Sequence, residues 1–273
     1  MNFTASAPDK VPHPGQAFYF IFDTHTRFLV TEHDGALPCL KEDQAKILCP
    51  GPLVFFGHLG DMPCYCTALP HEAPDKLTRP YSRITLRSFF HRSEENLRLA
   101  AGYARQILDL HLNSRFCGTC GTPARPLARE HGMKCPECRF TAYPRISPAI
   151  ITSVTRKDEI LLARGVNFPN KEMFSVLAGF VSPSETLEDC VKREVFEETQ
   201  IRVSRVRYVK SQPWPFPDSL MIGFTAQYES GEIHIDPREI NEAAWFKSNA
   251  LPLIPDAHTL AGQLIREFVK NHT

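Results

Sequence analysis

Four of the nine cysteines fall in one short block, Cys117-x-x-Cys120 and Cys135-x-x-Cys138, within FCGTCGTPARPLAREHGMKCPECRF. Two such pairs on opposed turns can deliver four thiolates tetrahedrally to one Zn²⁺, and glycines in the first turn ease its tight backbone. Four protein ligands leave the ion no open position, so the block predicts a ribbon folded around a structural zinc, one per chain. Cys39, Cys49, Cys64, Cys66 and Cys190 read as small buried hydrophobes. An odd total with four residues at metal spacing points to a reducing compartment, not to a secreted disulfide scaffold.

The rest of the chain is long enough for further domains: 273 residues, 42% of them hydrophobic. Lys+Arg and Asp+Glu balance at 31 each, so no global field favours nucleic acid or a membrane surface. No run approaches the ~18 apolar residues of a membrane span, and MNFTASAPDKVPHPGQ lacks the apolar centre of a secretory signal. The expectation is a soluble cytoplasmic protein without membrane partners. Strand-like runs FYFIF and LVFFGHLG precede a helical pattern at 93–112, with Ser93 and two acids as its start signal. After Pro144 come ISPAIITSVT, EILLAR and FSVLAGF, a helix over 185–198, strands VSRVRYVKS and SLMIGFTAQY, and a closing helix near 258–270. This order predicts an α+β chain with an α/β/α layout in its second half.

The helix within GFVSPSETLEDCVKREVFEETQI carries the chemistry. Ser184 is its expected N-cap, with Glu185 in the first turn. At ~100° per residue, Glu194 and Glu198 project within about 20° of Leu187, on the stripe that Leu187, Cys190 and Val191 give to the core. Glu197 adds a third carboxylate near the negative end of the helix dipole. Carboxylates so concentrated repel unless a cation holds them, and hard oxygen donors suit Mg²⁺ or Mn²⁺. Taken alone, the pattern reads by default as a solvated acidic face.

Further on, SQPWPFPDSLM sets Pro213, Pro215 and Pro217 around Trp214 and Phe216. Prolines exclude a helix and disfavour a central strand, so the segment is expected to be an ordered loop. It is either a rigid connector whose Trp caps a core or one wall of a base-binding slot.

Gly179, Glu185, Arg193, Glu194, Val195, Glu197, Glu198 and Ile201 stand at the spacing of the Nudix box. The remaining box position, usually glycine, is Gln200, and Ser182 and Ser184 stand where relatives often carry Glu and Gly. Together with the four-cysteine block and the SQPWPFPxS segment, the chain from about Tyr103 onward resembles the NADH pyrophosphatases. The resemblance implies an N-terminal α+β domain (1–112), a zinc ribbon (113–143) and a Nudix α/β/α sandwich (144–273). It assigns Cys117, Cys120, Cys135 and Cys138 to zinc and Glu194, Glu197, Glu198 and Glu239 to Mg²⁺ or Mn²⁺. Glu198 would be ligand or base, and Arg193 would pair with a box carboxylate to orient it. Phe180 and Trp214 would sandwich the nicotinamide, with Gln212, Ser219, Tyr143, Ile151, Ala178, Met221 and Ala261 as further contacts. A homodimer completing the base slot is implied, as is cleavage of NAD(H) to NMN(H) and AMP, with removal of an NAD cap from RNA by the same step. The competing readings are a broader hydrolase of ADP-ribose, FAD and similar diphosphates, and a non-catalytic zinc-ribbon protein that binds nucleic acid.

Overall fold

The structure is a computed structural model and describes residues 1–7, 15–23, 27–31, 35–49, 51–69 and 81–272. The chain forms two compact units, Met1–Arg145 and Ile146–Thr273.

The first unit contains β1 (Phe3–Ala5), β2 (Gln16–Phe22), β3 (Arg27–Thr31), β4 (Cys39–Lys41), α1 (Glu42–Leu48), β5 (Val54–Leu59), β6 (Met62–Ala68), β7 (Tyr81–Thr85), α2 (Leu86–Arg92) and α3 (Glu95–Asn113). Three two-residue strands follow, β8 (Arg125–Pro126), β9 (Met133–Lys134) and β10 (Thr141–Ala142), which pair as the small sheet of the cysteine block. The larger sheet runs β1-β5-β6-β2-β3-β7, with β4 on β2. The β2 strand is buried on both faces: Ala17, Tyr19 and Ile21 pack with Ala45 and Cys49 of the α1 region. Its other face sets Phe20 against Phe56 and Phe22 beneath Arg105 of α3. Such two-sided burial explains why FYFIF is a continuous apolar run with no polar alternation. The expected helix at 93–112 is α3, started by Glu94 and not Ser93, because Ser93 ends the preceding α2.

The second unit is a six-stranded sheet of order β14-β15-β11-β12-β16, with β13 on β11. Its elements are β11 (Ser147–Arg156), β12 (Glu159–Gly165), β13 (Leu177–Phe180), α4 (Leu187–Thr199), β14 (Arg202–Trp214), β15 (Ser219–Ser230), β16 (Ile240–Lys247) and α5 (Leu260–Asn271). Alternation along β11 sorts the two faces. Ile150 and Val154 pack with Cys190, Val191 and Val195 of α4, whereas Ile151 packs with Leu260, Ala261, Leu264, Ile265 and Phe268 of α5. The result is an α/β/α sandwich. No helix among the described residues is long and apolar enough to cross a membrane.

Two local expectations are corrected. Residues 211–214 are not loop: they end β14, pairing Ser211 with Ile222 through Trp214 with Ser219. Because β14 is an edge strand, Pro213 can occupy it without removing a bond from a central ladder. In addition, α4 begins at Leu187 with Thr186 as its cap, the Thr186 hydroxyl accepting the Asp189 N–H at 3.2 Å. Ser184 instead has φ 63°, a left-handed turn conformation in which it cannot cap, and Glu185 lies ahead of the helix.

Candidate active site and zinc centre

In the cysteine block the Sγ atoms of Cys117 and Cys138 are 3.4 Å apart, those of Cys120 and Cys135 3.5 Å, and those of Cys120 and Cys138 3.6 Å. All four lie within 4.8 Å of one another. Zn–S bonds of ~2.3 Å imply tetrahedral edges of about 3.8 Å, so the donor set fits Zn²⁺. Backbone N–H groups of Thr119 and Cys138 point at Cys117 and Cys135 sulfurs, 3.4 Å each, and stabilise thiolate charge. The turns repeat: the residue after each second cysteine, Gly121 and Arg139, has positive φ, 75° and 65°.

The acidic helix is organised around one arginine. Arg193 Nε and Nη2 donate to the two oxygens of Glu185 at 2.6 and 2.8 Å. Its Nη1 donates to Glu194 at 2.8 Å and Glu197 at 2.9 Å, and Nη2 also reaches the Phe180 carbonyl at 3.0 Å. One guanidinium thereby fastens the loop before α4, the helix and the end of β13 together. Glu185 also accepts the Ser182 N–H, and the Arg193 bonds hold its carboxyl down at about 2. Sequence pattern puts Glu185 in the first helical turn; in the fold, eight residues before Arg193, it serves as the arginine's bidentate partner.

Glu194 is buried on the side of β13 marked by Gly179. A Cβ on Gly179 would stand 1.9 Å from the Glu194 carboxylate carbon, so only glycine leaves room for it. Glu198, one turn on, is 6% exposed, and its Oε2 has no hydrogen-bond partner. Burial first, then the charges of Glu194, Glu239 and Glu197, push its carboxyl up to about 8. Glu194 is raised as well, chiefly by burial, with Arg193 opposing. Glu239 reaches this neighbourhood because its loop is bonded to the end of α4: the His234 and Asp236 N–H groups donate to the Thr199 and Glu198 carbonyls at 3.0 and 3.2 Å. The helix exit itself turns through Gln200 at φ 60°, the left-handed position where glycine is usual. Among the described residues, no three of these four carboxylates bring oxygens within 4.8 Å of one another; Arg193 holds two of them back. A carboxyl oxygen buried without a hydrogen-bond partner, beside three further carboxylates, is a donor set that fits a hard divalent cation.

Strand register gathers most of the expected substrate contacts at one end of the sheet. Gln212 pairs with Met221, Met221 with Ala149, and Ala149 with Phe180, so a single rung crosses four strands. Ile151 and Ala178 form the adjacent pair on the same face, while Trp214 and the buried Ser219 close the hairpin end. Gln212 also clamps the start of α5: its amide donates to the His258 carbonyl and accepts the Leu260 N–H, both at 2.7 Å, setting Ala261 beside the row. The Trp214 ring meets Phe216 at 5.0 Å edge-on, and Phe180 is 58% exposed. Tyr143 belongs to the first unit, where its hydroxyl donates to Glu130. The β13 strand divides the two sets, with Gly179 turned to the glutamates and Ala178 and Phe180 to the contact row.

Comparison with known proteins agrees with this geometry. Residues 144–268 match the NUDIX domain, residues 112–140 the NADH pyrophosphatase zinc ribbon domain, and residues 16–109 the NADH pyrophosphatase-like rudimentary NUDIX domain. The chain is 39% identical over 260 residues to the NAD-capped RNA hydrolase NudC of Deinococcus radiodurans, covering 94% of this chain and 89% of that one. It is 50% identical over 169 residues to the protein of the same name from Salmonella heidelberg, covering 62% of this chain and 65% of the relative's length. Among solved structures, a NUDIX hydrolase from Nitrosomonas europaea superposes with a TM-score of 0.47 at 21% identity, over 57% of this chain and 88% of that one. The chain belongs to the Nudix hydrolase family, in the group that carries the NADH pyrophosphatase zinc ribbon.

Proposed function

We propose that the second unit hydrolyses the diphosphate of NAD(H), giving NMN(H) and AMP, and by the same cleavage removes an NAD cap from RNA to leave a 5′-monophosphate. The observation that carries this is the buried, partnerless Glu198 oxygen on the helix that also bears Glu194 and Glu197. Glu194, Glu197, Glu198 and Glu239 would hold Mg²⁺ or Mn²⁺. When bound, such ions neutralise a diphosphate and acidify a water for in-line attack on phosphorus. Glu198 is the ligand or the base that takes the water's proton, and its raised proton affinity suits that role near neutral pH. Arg193 acts through the glutamates it orients.

Trp214 and Phe180 wall the slot for the nicotinamide, with Gln212, Ser219, Ile151, Ala178, Met221 and Ala261 along its floor. The uncovered Phe180 ring supports completion of the slot by a second copy of the chain. We also assign the chain three parts, 1–112, 113–143 and 144–273, and a cytoplasmic setting, in keeping with nine unpaired cysteines. The name carried by the Deinococcus relative supports capped RNA as a substrate. Parallel turnover of NADH, NAD, ADP-ribose and NAD-capped RNA with Mg²⁺ or Mn²⁺ tests the reading. NADH and capped RNA should lead; equal turnover of ADP-ribose would favour a general diphosphate hydrolase.

A further inference from the structure

The β14 strand carries Arg202, Arg205, Arg207 and Lys210 and no acidic residue, at the open edge of the sheet. Edge-strand cations commonly serve to prevent strand pairing between molecules. Here they do not alternate freely, because irregularities between Ser204 and Arg207 and between Tyr208 and Lys210 reset the register. Arg207 is thereby paired with Thr225 and Lys210 with Gly223, on the same face as Gln212 and Met221. Lys210 already reaches across to α5, donating to Gln263 at 2.8 Å. Arg205 sits inside the first irregularity with φ 51°, a conformation that side chains adopt at a cost.

Beyond Lys210, β14, β15, β11 and α5 enclose a cleft of about 180 Å³ whose lining includes Arg205, Arg207, Ser153, Thr155, Thr225 and Glu267. Neither arginine has an ion-pair or hydrogen-bond partner among the described residues, although Glu267 shares the cleft. Ser153 is 2% exposed and lines the same cleft, yet its hydroxyl has no hydrogen-bond partner among the described residues. A guard against edge pairing does not account for the unpartnered hydroxyl that a nearly buried serine presents to the cleft two free arginines also line. An anion bridging them does, since it would accept from all three. The cleft lies on the same sheet face as the contact row, four residues further along β15 from Met221 to Thr225, or ~13 Å at ~3.3 Å per residue.

We propose that this cleft is a phosphodiester subsite that holds the RNA chain attached to the cap, with Arg205, Arg207 and Ser153 as its donors. The inference rests on the reading of capped RNA as a substrate and adds the means by which the chain would distinguish it from free NAD(H). Guanidinium groups on a sheet edge engage phosphate without reading bases, so binding should be sequence-tolerant and salt-sensitive.

The test is binding of an uncapped, 5′-monophosphorylated single-stranded RNA of about a dozen nucleotides, by fluorescence anisotropy across a salt series, to the full chain and its Arg205→Ala/Arg207→Ala variant. The variant should bind roughly tenfold more weakly, and the slope of log K against log salt should fall by about 1.4, the loss of two phosphate contacts. Its kcat/KM for NADH should stay within about twofold of the unmodified chain, while that for NAD-capped RNA falls with the binding. Arg205→Lys/Arg207→Lys should recover much of the salt slope, because charge suffices. Equal RNA binding by both proteins, no RNA binding by the unmodified chain, or a parallel loss on NADH and capped RNA would overturn the subsite. RNA bound through these arginines but not decapped would overturn the capped-RNA reading and leave the subsite standing.

Discussion

The carboxylate of Glu194 occupies the space that any side chain on Gly179 would need, the Cβ position falling 2.2 Å from both Glu194 oxygens. Strand β13 and helix α4 therefore approach closely enough to aim Glu194 only because position 179 has no side chain. Gly179→Ala should displace Glu194, lower turnover of NADH by about 100-fold, and leave zinc content unchanged. The strain of overpacking is about 1–3 kcal/mol, so Tm should drop measurably too. Steady-state kinetics with zinc analysis checks both.

Arg193→Lys keeps a charge but loses the fork that spans Glu185 and reaches the Phe180 carbonyl. Groups that orient metal ligands typically contribute 10–100-fold in affinity or activity. The variant should bind Mn²⁺ roughly tenfold more weakly in a titration followed by electron paramagnetic resonance, with NADH turnover at saturating metal reduced less than at limiting metal. An unchanged Mn²⁺ affinity would remove Arg193 from the site.

For Trp214→Ala, loss of base stacking predicts a fall of roughly ten- to a hundredfold in kcat/KM for NADH. ADP-ribose, which has no nicotinamide, should be affected less. If Trp214 were only core filling beside Phe216, both substrates would lose activity in proportion and the protein would melt earlier. Kinetics on the two substrates alongside thermal melting separate these outcomes.

In the ribbon, Cys135→Ser removes one of four sulfurs that lie within 4.8 Å of one another. Zinc should fall from about one ion per chain to well below that, with proteolytic sensitivity appearing across residues 117–138. Full zinc occupancy and unaltered melting would show that these thiols do not hold the ion.

The parts of the fold written in local pattern were legible in the sequence. The cysteine spacing marked the metal ribbon, apolar runs marked β11 and β12, and helical periodicity marked α4 and α5. What escaped depended on tertiary placement. Residues 211–214 read as loop because prolines exclude a central strand, and nothing local says that β14 lies at an edge. Ser184 is the better cap of the two by residue type, and the left-handed turn at Ser184 decides for Thr186. The Gly179–Glu194 fit and the bonds tying the Glu239 loop to α4 join segments distant in sequence, which only the folded chain brings together. The β16 strand has no local signature, because INEAAWFK shows no clean alternation.

Glu198→Gln removes one charge from the buried site with almost no change in volume. NADH turnover with Mg²⁺ or Mn²⁺ should fall by at least about 100-fold while zinc content and fold persist. The same variant has a pH signature without added divalent metal. A carboxyl raised from 4.5 to about 8 in the folded state keeps its proton where the unfolded chain has lost it. That contribution to stability is present below pH 4.5 and is lost as pH rises through about 8. Glutamine mimics the protonated form, so the variant should melt above the unmodified protein at pH 8.5 and level with it near pH 4.5. Kinetics and melting measured on one preparation should show an inactive enzyme stabilised at high pH, whereas full turnover with Glu198→Gln would contradict the assignment of α4 as the catalytic helix.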